Sequence, residues 1–468
     1  MESSDFLAID FGVASCTMAW FDSTVNRAEP ILNAEGETKT PSVVYYAENG
    51  DAIVGKDALQ VLLDGASADL ARVVTNVKLN LTKGITYPVE GAPGPVEASA
   101  AIFAKLKRDS QDGCFHRTID RAVITHPVAF GEKEKAALKK AGELAGFREV
   151  SLMEEPVAAA VAWAANAKDR PSSLMVFDMG AGTLGVALLA RQDDGAYRPA
   201  ISSRSMRVAG NDFDMALYRS AEEKALAQFG QGFSANGEIN RTVLHHCRAR
   251  KENLSRLGKI RLIETLPQEG GTSASFAYEI TREEFEELIE PLVDQAAQFA
   301  AAALKDARRC GIDPDAAVLM GGSTRIPLVA RRLKEAVGLR VLEWEKRDVA
   351  VALGAATHAG PEPATVPERE IPPTHASIPA FPSSTLDDLV ADIQRRAAGG
   401  TPTAASNSGP AAKPGDIDII SELQRLAGGE APQPDTPSPT IPEKPSSPPP
   451  SAGGDDDLIN ELQRLTSL

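Results

Sequence analysis

Two segments of the sequence place an aspartate and a glycine directly after an apolar stretch. The first reads Leu-Ala-Ile-Asp-Phe-Gly over residues 7–12, and the second reads Met-Val-Phe-Asp-Met-Gly over residues 175–180. An aspartate at the end of a buried strand can hold Mg²⁺ through water, and the free amides of a glycine turn can face phosphate oxygens. Two such segments that face each other would clamp a polyphosphate.

Each of these segments predicts the first half of a β-hairpin. A turn of small residues follows at 13–15 in one case and at 181–183 in the other, and a second apolar stretch comes after each turn. The match indicates a duplicated fold. Taken singly, Asp-x-Gly is also an ordinary chain-reversal sequence, so the argument depends on the pair.

A third segment combines a predicted strand, a glycine-rich loop and a predicted helix. The apolar run over residues 316–320 is followed by Gly-Gly-Ser-Thr-Arg-Ile-Pro over residues 321–327 and by a helical pattern over residues 328–337. Pro327 suits a first helical turn, and the loop amides with the positive end of the helix suit an anion or a nucleotide. The alternative is a tight connection that leaves Arg325 at the surface.

The elements that would position these residues alternate along most of the chain. Helix-like and strand-like patterns with short Gly or Pro breaks run from Asp5 to about His358, which predicts an α/β architecture. The last 108 residues contain 19 of the 32 prolines and a single aromatic residue, Phe381. Such a composition buries too little apolar surface to fold, so we expect a disordered tail over residues 361–468.

Three similar segments recur within this tail, at about residues 385–397, 416–427 and 455–467. Each begins with aspartates, carries an arginine near its end and spaces its apolar residues along one stripe of a short helix. The apolar residues that characterise the three copies are Leu389 and Ile393, Ile420 and Leu423, and Ile459 and Leu462. Because such short helices are marginal alone, we expect them to bind a partner protein or the lobes of this chain. The alternative is a remnant of low-complexity sequence.

Composition excludes several classes of protein. The chain has 468 residues, is 43% hydrophobic and carries a net charge of −16, which disfavours binding to nucleic acid. Its four cysteines are far apart, so they indicate neither a disulfide framework nor a zinc site. Neither a signal sequence nor a membrane-spanning stretch is evident, and we expect a cytoplasmic protein without membrane insertion.

Six motifs in this order resemble the nucleotide-binding domain of the heat shock protein 70 family. They are the hairpin at Asp10, the segments over residues 123–130 and 153–160, the hairpin at Asp178, and the segments over residues 210–214 and 321–327. The resemblance covers residues 1–360. It implies an actin-like ATPase fold whose two lobes each have a ribonuclease H-like core and bind ATP or ADP with Mg²⁺ between them. It also implies a chaperone active in protein folding and the stress response.

The resemblance implies roles for individual residues. Asp10 and Asp178 would hold hydrated Mg²⁺. Glu155 would orient the attacking water and Thr183 would contact the γ-phosphate. Pro127 and Lys135 match the family's switch, a proline and a basic residue that couple nucleotide to conformation. The expected nucleotide-binding residues are Gly12, Val13, Ala14, Gly180, Ala181, Gly182, Gly210, Lys251, Ser255, Gly321, Gly322, Ser323, Arg325 and Asp348.

Several positions depart from the family pattern. Val13 and Ala14 stand where two threonines are usual, and Gly185 stands where an acidic residue is usual. On the adenine side, Arg248 replaces a glutamate and Glu252 replaces a basic residue. Backbone amides can still bind phosphate, but the hydroxyl and carboxylate groups that position the reaction are absent.

The stretch from Lys78 to Val96 is shorter than its counterpart in the family. It should contain a lysine that reaches the γ-phosphate, but the family pattern aligns Pro88 with it, leaving Lys83 or Lys78 as substitutes. Loss of a fixed cation beside the phosphates typically slows phosphoryl transfer by roughly a hundredfold or more. We therefore expect ATP binding with slow or absent hydrolysis.

The tail leads to a hypothesis about function. The family's usual linker and β-sandwich substrate domain are not expected after Gly360, so protein partners would be recruited through the tail helices. This predicts a nucleotide-gated scaffold of the chaperone type. Two alternatives stay open: an actin-like filament-forming or cell-division scaffold, and a small-metabolite kinase of the same fold superfamily.

Overall fold

The computed structural model describes residues 6–359 except 65–66, 90, 92, 168–169, 194, 202, 235–236 and 268–271. The predicted tail and its three helical segments lie outside the described residues.

The strands, in chain order, are β1 (Leu7–Asp10), β2 (Ser15–Asp22), β3 (Arg27–Ile31), β4 (Lys39–Pro41), β5 (Val44–Tyr46), β6 (Ala52–Val54), β7 (Val73–Val74), β8 (Arg121–His126), β9 (Glu149–Glu154), β10 (Ser173–Met179), β11 (Leu184–Arg191), β12 (Tyr197–Pro199), β13 (Arg204–Met206), β14 (Lys259–Pro267), β15 (Ser273–Thr281), β16 (Ala316–Met320) and β17 (Arg340–Glu343). The α-helices are α1 (Lys56–Asp64), α2 (Ser67–Leu70), α3 (Pro95–Ser110), α4 (Glu132–Leu144), α5 (Glu155–Asn166), α6 (Gly210–Phe229), α7 (Arg241–Leu254), α8 (Arg282–Arg309), α9 (Pro327–Val337) and α10 (Ala350–Ala359).

The first lobe is built on a sheet with the strand order β3-β2-β1-β8-β9, and β4 pairs with β2. Strands β1, β2 and β3 are antiparallel, whereas β8 and β9 run parallel to β1. The apolar residues of β1 are fully buried, as its sequence predicts. The strand ends at Asp10, directly before the turn to β2.

The second lobe repeats this arrangement. Its sheet has the order β12-β11-β10-β16-β17, with β13 paired to β11. Again three antiparallel strands are followed by two parallel strands, which is the ribonuclease H-like pattern. The predicted α/β class and the duplication of the fold are confirmed.

Each lobe carries a smaller substructure beside its main sheet. In the first lobe it is the sheet β6-β5-β7 with α1, and in the second lobe it is the hairpin of β14 and β15 with α7. Helices α1 and α7 lie against each other, so the two substructures meet.

Helices α5 and α10 connect the lobes and pack against each other. The chain leaves the first lobe through α5, which packs on β10 and β11, and it returns through α10, which packs on β1 and β2. Both helices are rich in alanine, and their backbones approach so closely that a Cβ atom at Gly354 would overlap the carbonyl group of Ala158. Glycine is therefore required at the crossing.

Candidate functional site

A cleft of about 300 Å³ lies between the turn from β1 to β2 and the turn from β10 to β11. It contains most of the residues that the sequence singled out. Those that line it are Asp10, Gly12, Val13, Ala14, Glu155, Asp178, Gly180, Ala181, Gly182, Thr183, Lys251, Ser255, Gly321, Gly322, Ser323, Arg325 and Asp348, together with Arg248 and Glu252. The two hairpins therefore face each other as expected, while the roles of these residues stay predictions.

Three predicted site residues are not part of the cleft lining. Gly210 lies behind it, where its N–H donates to the carbonyl of Gly180 at 3.1 Å and its own carbonyl accepts from Lys251 at 2.8 Å. Pro127 is buried after β8, and the Lys135 ammonium pairs with Glu132 at 3.3 Å. The coupling role of Pro127 and Lys135 stays a prediction.

Three carboxylates from three different elements meet at the base of the cleft. Asp10 ends β1, Asp178 lies near the end of β10, and Glu155 opens α5. Burial and the neighbouring carboxylate of Glu155 raise the pKa of Asp10 to about 7 and that of Asp178 to about 8. The Thr125 hydroxyl donates to Asp10 at 3.3 Å. Such a cluster of acids favours a bound cation, because a cation would relieve the mutual repulsion.

Lys78, one of the two lysines that the sequence analysis named as substitutes, supplies a cation to this cluster. Its side chain is buried, and its ammonium group pairs with Glu155 and lies 5.8 Å from the centre of the Phe11 ring. Pro88, which the family pattern aligned with the phosphate-reaching lysine, is exposed, and neither Pro88 nor Lys83 lines the cleft. A short 3₁₀ turn over Val77–Asn80, at the very start of the shortened stretch, carries the lysine instead.

Glycines keep the cleft open where side chains would close it. A Cβ atom at Gly182 would come within 2.8 Å of Val13 in the opposite turn. Gly321 has a φ of +79°, and a Cβ atom there would come within 2.7 Å of the Asp178 carboxylate. The backbone can therefore approach a ligand closely at these positions.

The second lobe holds its wall of the cleft with polar contacts. Ser323 donates to the carbonyl of Gly180 at 2.7 Å, and Arg325 binds the carboxylate of Asp348 through two nitrogens at 3.0 and 2.7 Å. The ammonium group of Lys251 forms an ion pair with the carboxylate of Asp214 at 2.7 Å. The contacts of Ser323 and Arg325 order the loop after β16, on the side of the cleft where an adenosine is expected.

The substituted positions also have defined surroundings. Arg248 donates to Asp214 at 2.9 Å and to Asn211 at 2.8 Å, so it braces α6 against α7. Gly185 pairs with Asp178 in the register of β10 and β11. An acidic residue at Gly185 would therefore lie beside Asp178, and the carboxylate usual in the family is absent from that place.

Sequence reasoning missed two groups of polar residues. Thr17 and Lys39 also line the cleft, and the alternation of side chains along the first hairpin was a usable signal for Thr17. Arg241 and Thr242 bind backbone carbonyls of the first lobe, a contact that no residue pattern indicates.

The contact made by Arg241 and Thr242, called the interlobe clasp from here on, joins the start of α7 to residues 62–75. The guanidinium of Arg241 donates to the carbonyls of Leu70 at 3.2 Å and Val73 at 2.8 Å. The Thr242 hydroxyl donates to the carbonyl of Leu62 at 2.8 Å. These bonds connect the small substructures of the two lobes.

Two general features of the described residues concern metals and membranes. Within the described ranges, no group of three or more His, Cys, Asp or Glu side chains is arranged to bind a metal ion directly. None of the described helices has the length and apolar character that crossing a membrane requires.

Comparison with known proteins gives consistent matches. The sequence pattern of the Hsp70 protein family matches residues 80–371. The chaperone protein DnaK of Thermosipho melanesiensis is 31% identical over 361 residues, which are 75% of this chain and 58% of that protein. The chaperone protein DnaK of Thermotoga neapolitana is 32% identical over 370 residues, which are 76% of this chain and 60% of that protein. The matched region thus spans about three fifths of the length of these relatives.

Proposed function

Because this chain belongs to the Hsp70 protein family, we propose that it binds ATP or ADP between its lobes and acts as a chaperone-like, nucleotide-gated scaffold. The observation that carries the proposal is the cleft, in which two glycine turns face each other across three carboxylates and a buried lysine. Glycine turns bind phosphate through their amides, and the Arg325 side of the cleft suits the adenosine.

The residues present fit a hydrated Mg²⁺ ion. Burial, and next the charge of Glu155, raise the pKa values of Asp10 and Asp178, so a cation beside them would stabilise their charged forms. Since Mg²⁺ usually keeps several of its water molecules, Asp10 and Asp178 would hold the ion through water. When bound, the ion would neutralise charge on the phosphate oxygens.

The chain's own residues support slow hydrolysis. Glu155 is held by Lys78 in a position to orient a water molecule and accept its proton. Thr183 provides a hydroxyl in the second turn, whereas Val13, Ala14 and Gly185 supply neither hydroxyl nor carboxylate. Because Lys78, rather than Lys83, lies beside Glu155 and supplies a cation there, we propose slow rather than absent turnover.

Calorimetric titration of the full chain with ATP and ADP, with and without Mg²⁺, tests the proposal. We expect one nucleotide per chain and tighter binding with Mg²⁺. The same titration on residues 1–360 reveals whether the tail affects the site. The absence of binding to either nucleotide under both conditions would refute the proposed function.

The interlobe clasp should slow the release of nucleotide, because the lobes must separate before a nucleotide can leave. Replacing Arg241 with alanine removes at least two hydrogen bonds, and we expect ADP release to accelerate by about thirtyfold at roughly 1 kcal/mol per bond. Stopped-flow displacement of a fluorescent ADP analogue measures this rate. Arg261→Ala, an exposed arginine on β14, is the matched control, and equal release rates in both variants would contradict the prediction.

In the proposed scaffold, the three tail segments recruit the protein partners. Deleting residues 361–468 should abolish the capture of protein partners and leave nucleotide affinity unchanged, because the cleft is formed by residues before 360. Replacing Leu389, Ile420 and Ile459 with serine in the full chain is the finer test, since it removes one apolar residue from each segment. Unchanged partner capture in both variants would refute the role of the tail.

A further inference from the structure

Thr17 has an unusual environment for a hydroxyl group. Its side chain is only 3% exposed and lines the cleft, yet its Oγ1 atom has no hydrogen-bond partner among the described residues. Buried polar groups almost always have a partner, because an unmade hydrogen bond is costly. The Thr17 hydroxyl is therefore available to hydrogen-bond with a group that enters the cleft.

The position of Thr17 in the sheet identifies its neighbours. It lies directly opposite Asp10 in the pairing of β1 with β2, and directly opposite Lys39 in the pairing of β2 with β4. Side chains at such directly opposed positions share a face of the sheet and are within contact range. Asp10, Thr17 and Lys39 therefore form a row across three strands, and all three line the cleft.

Lys39 is only loosely engaged. Its ammonium lies 3.7 Å from the carboxylate of Asp348, and its side chain is 47% exposed. The same carboxylate is already bound by two nitrogens of Arg325. Lys39 can consequently turn towards an anion in the cleft without leaving Asp348 unpaired.

We propose that Thr17 and Lys39 form an additional phosphate-binding subsite in the floor of the cleft. A hydroxyl and an ammonium both donate hydrogen bonds, and the positive charge of Lys39 repels a metal ion, so the group they recognise is an anionic oxygen of the polyphosphate chain. The subsite supplies a hydroxyl on the strand that follows the turn in which Val13 and Ala14 lack one. This inference rests on the proposed function, because it assigns a contact to the phosphates of a nucleotide bound in the cleft.

A ladder of ligands of increasing phosphate content tests the subsite. Calorimetry on the full chain with adenosine, AMP, ADP and ATP is compared between the wild type, Thr17→Val and Thr17→Ser. We expect Thr17→Val to weaken ADP and ATP by about tenfold to a hundredfold, the value of one hydrogen bond to a charged group, and to change adenosine by less than about twofold. Thr17→Ser keeps the hydroxyl and should bind within about threefold of the wild type.

The variant Lys39→Met tests the second residue of the subsite independently of Thr17. It should weaken ADP and ATP in the same direction, by an amount that shrinks as salt is added, because the contact of an exposed ammonium is screened. Thr86→Val and Lys133→Met alter exposed residues outside the cleft and serve as matched controls.

The outcomes separate this inference from the proposed function. If the wild type binds none of the four ligands, the proposed function itself fails. If the wild type binds but Thr17→Val weakens adenosine as much as ADP, or weakens neither, the subsite is refuted. Should Thr17→Val fail to fold, Lys39→Met decides. The proposal is overturned if Lys39→Met weakens adenosine as much as ADP, or if it weakens neither ADP nor ATP.

Discussion

Methionine in place of Lys78 should lower the rate of single-turnover ATP hydrolysis by roughly a hundredfold or more. The ammonium of Lys78 pairs with Glu155, and its charge also acts on Asp10 and Asp178 at the base of the cleft. Its loss leaves Glu155 without the contact that orients it and removes positive charge where the phosphates would lie. Nucleotide affinity should change less than the rate, since the glycine turns are untouched.

Lys83 provides the matched control for this prediction. It belongs to the same stretch of chain but does not line the cleft, so Lys83→Met should leave the rate within about twofold of the wild type. Rates are measured with radiolabelled ATP under enzyme excess, and thermal melting confirms that both variants fold. Equal rates for Lys78→Met and the wild type would overturn the assignment of Lys78.

Alanine in place of Gly354 should destabilise the fold strongly, although it adds only one methyl group. The added Cβ atom would overlap the carbonyl group of Ala158 in α5, and both partners in the overlap are helix backbone. Overpacking of this kind costs about 3 kcal/mol or more when neither side can move. We expect a clearly lower midpoint of thermal denaturation, with loss of nucleotide binding as the lobes separate.

Gly84→Ala is the control for Gly354→Ala. No atom lies within 4 Å of a Cβ built at Gly84, so the substitution should leave the midpoint nearly unchanged. Circular dichroism on the full chain measures both variants. A midpoint for Gly354→Ala equal to that of the control would contradict the close helix crossing.

The parts of the fold that could be predicted were those with a local signal. Both hairpins follow from an apolar strand that ends in Asp-x-Gly, and the loop at Gly321 follows from a strand, a glycine pair and a proline at the start of a helix. Because each signal depends on residues adjacent in sequence, the hairpins and their order could be predicted from the residues, whereas the opposition of the two turns was expected from the family resemblance.

Features set by distant contacts could not be predicted in the same way. Lys78 lies in a short turn without a distinctive pattern, and only its pairing with Glu155, 77 residues later, reveals its place. Arg241 binds backbone carbonyls, which every residue offers, so the sequence of its partners carries no information. Thr17 is an intermediate case, because its register with Asp10 followed from the hairpin but its lack of a partner did not.

The return of α10 to the first lobe has a consequence for synthesis of the protein. The sheet that contains β1 leaves the ribosome before the second lobe, yet the helix that covers it consists of residues 350–359. Until those residues emerge, an apolar face of the first sheet, including Ala8 and Ala19, lacks its cover. Completion of the first lobe therefore requires translation of the whole second lobe, and during this interval the exposed apolar face favours aggregation of the nascent chain.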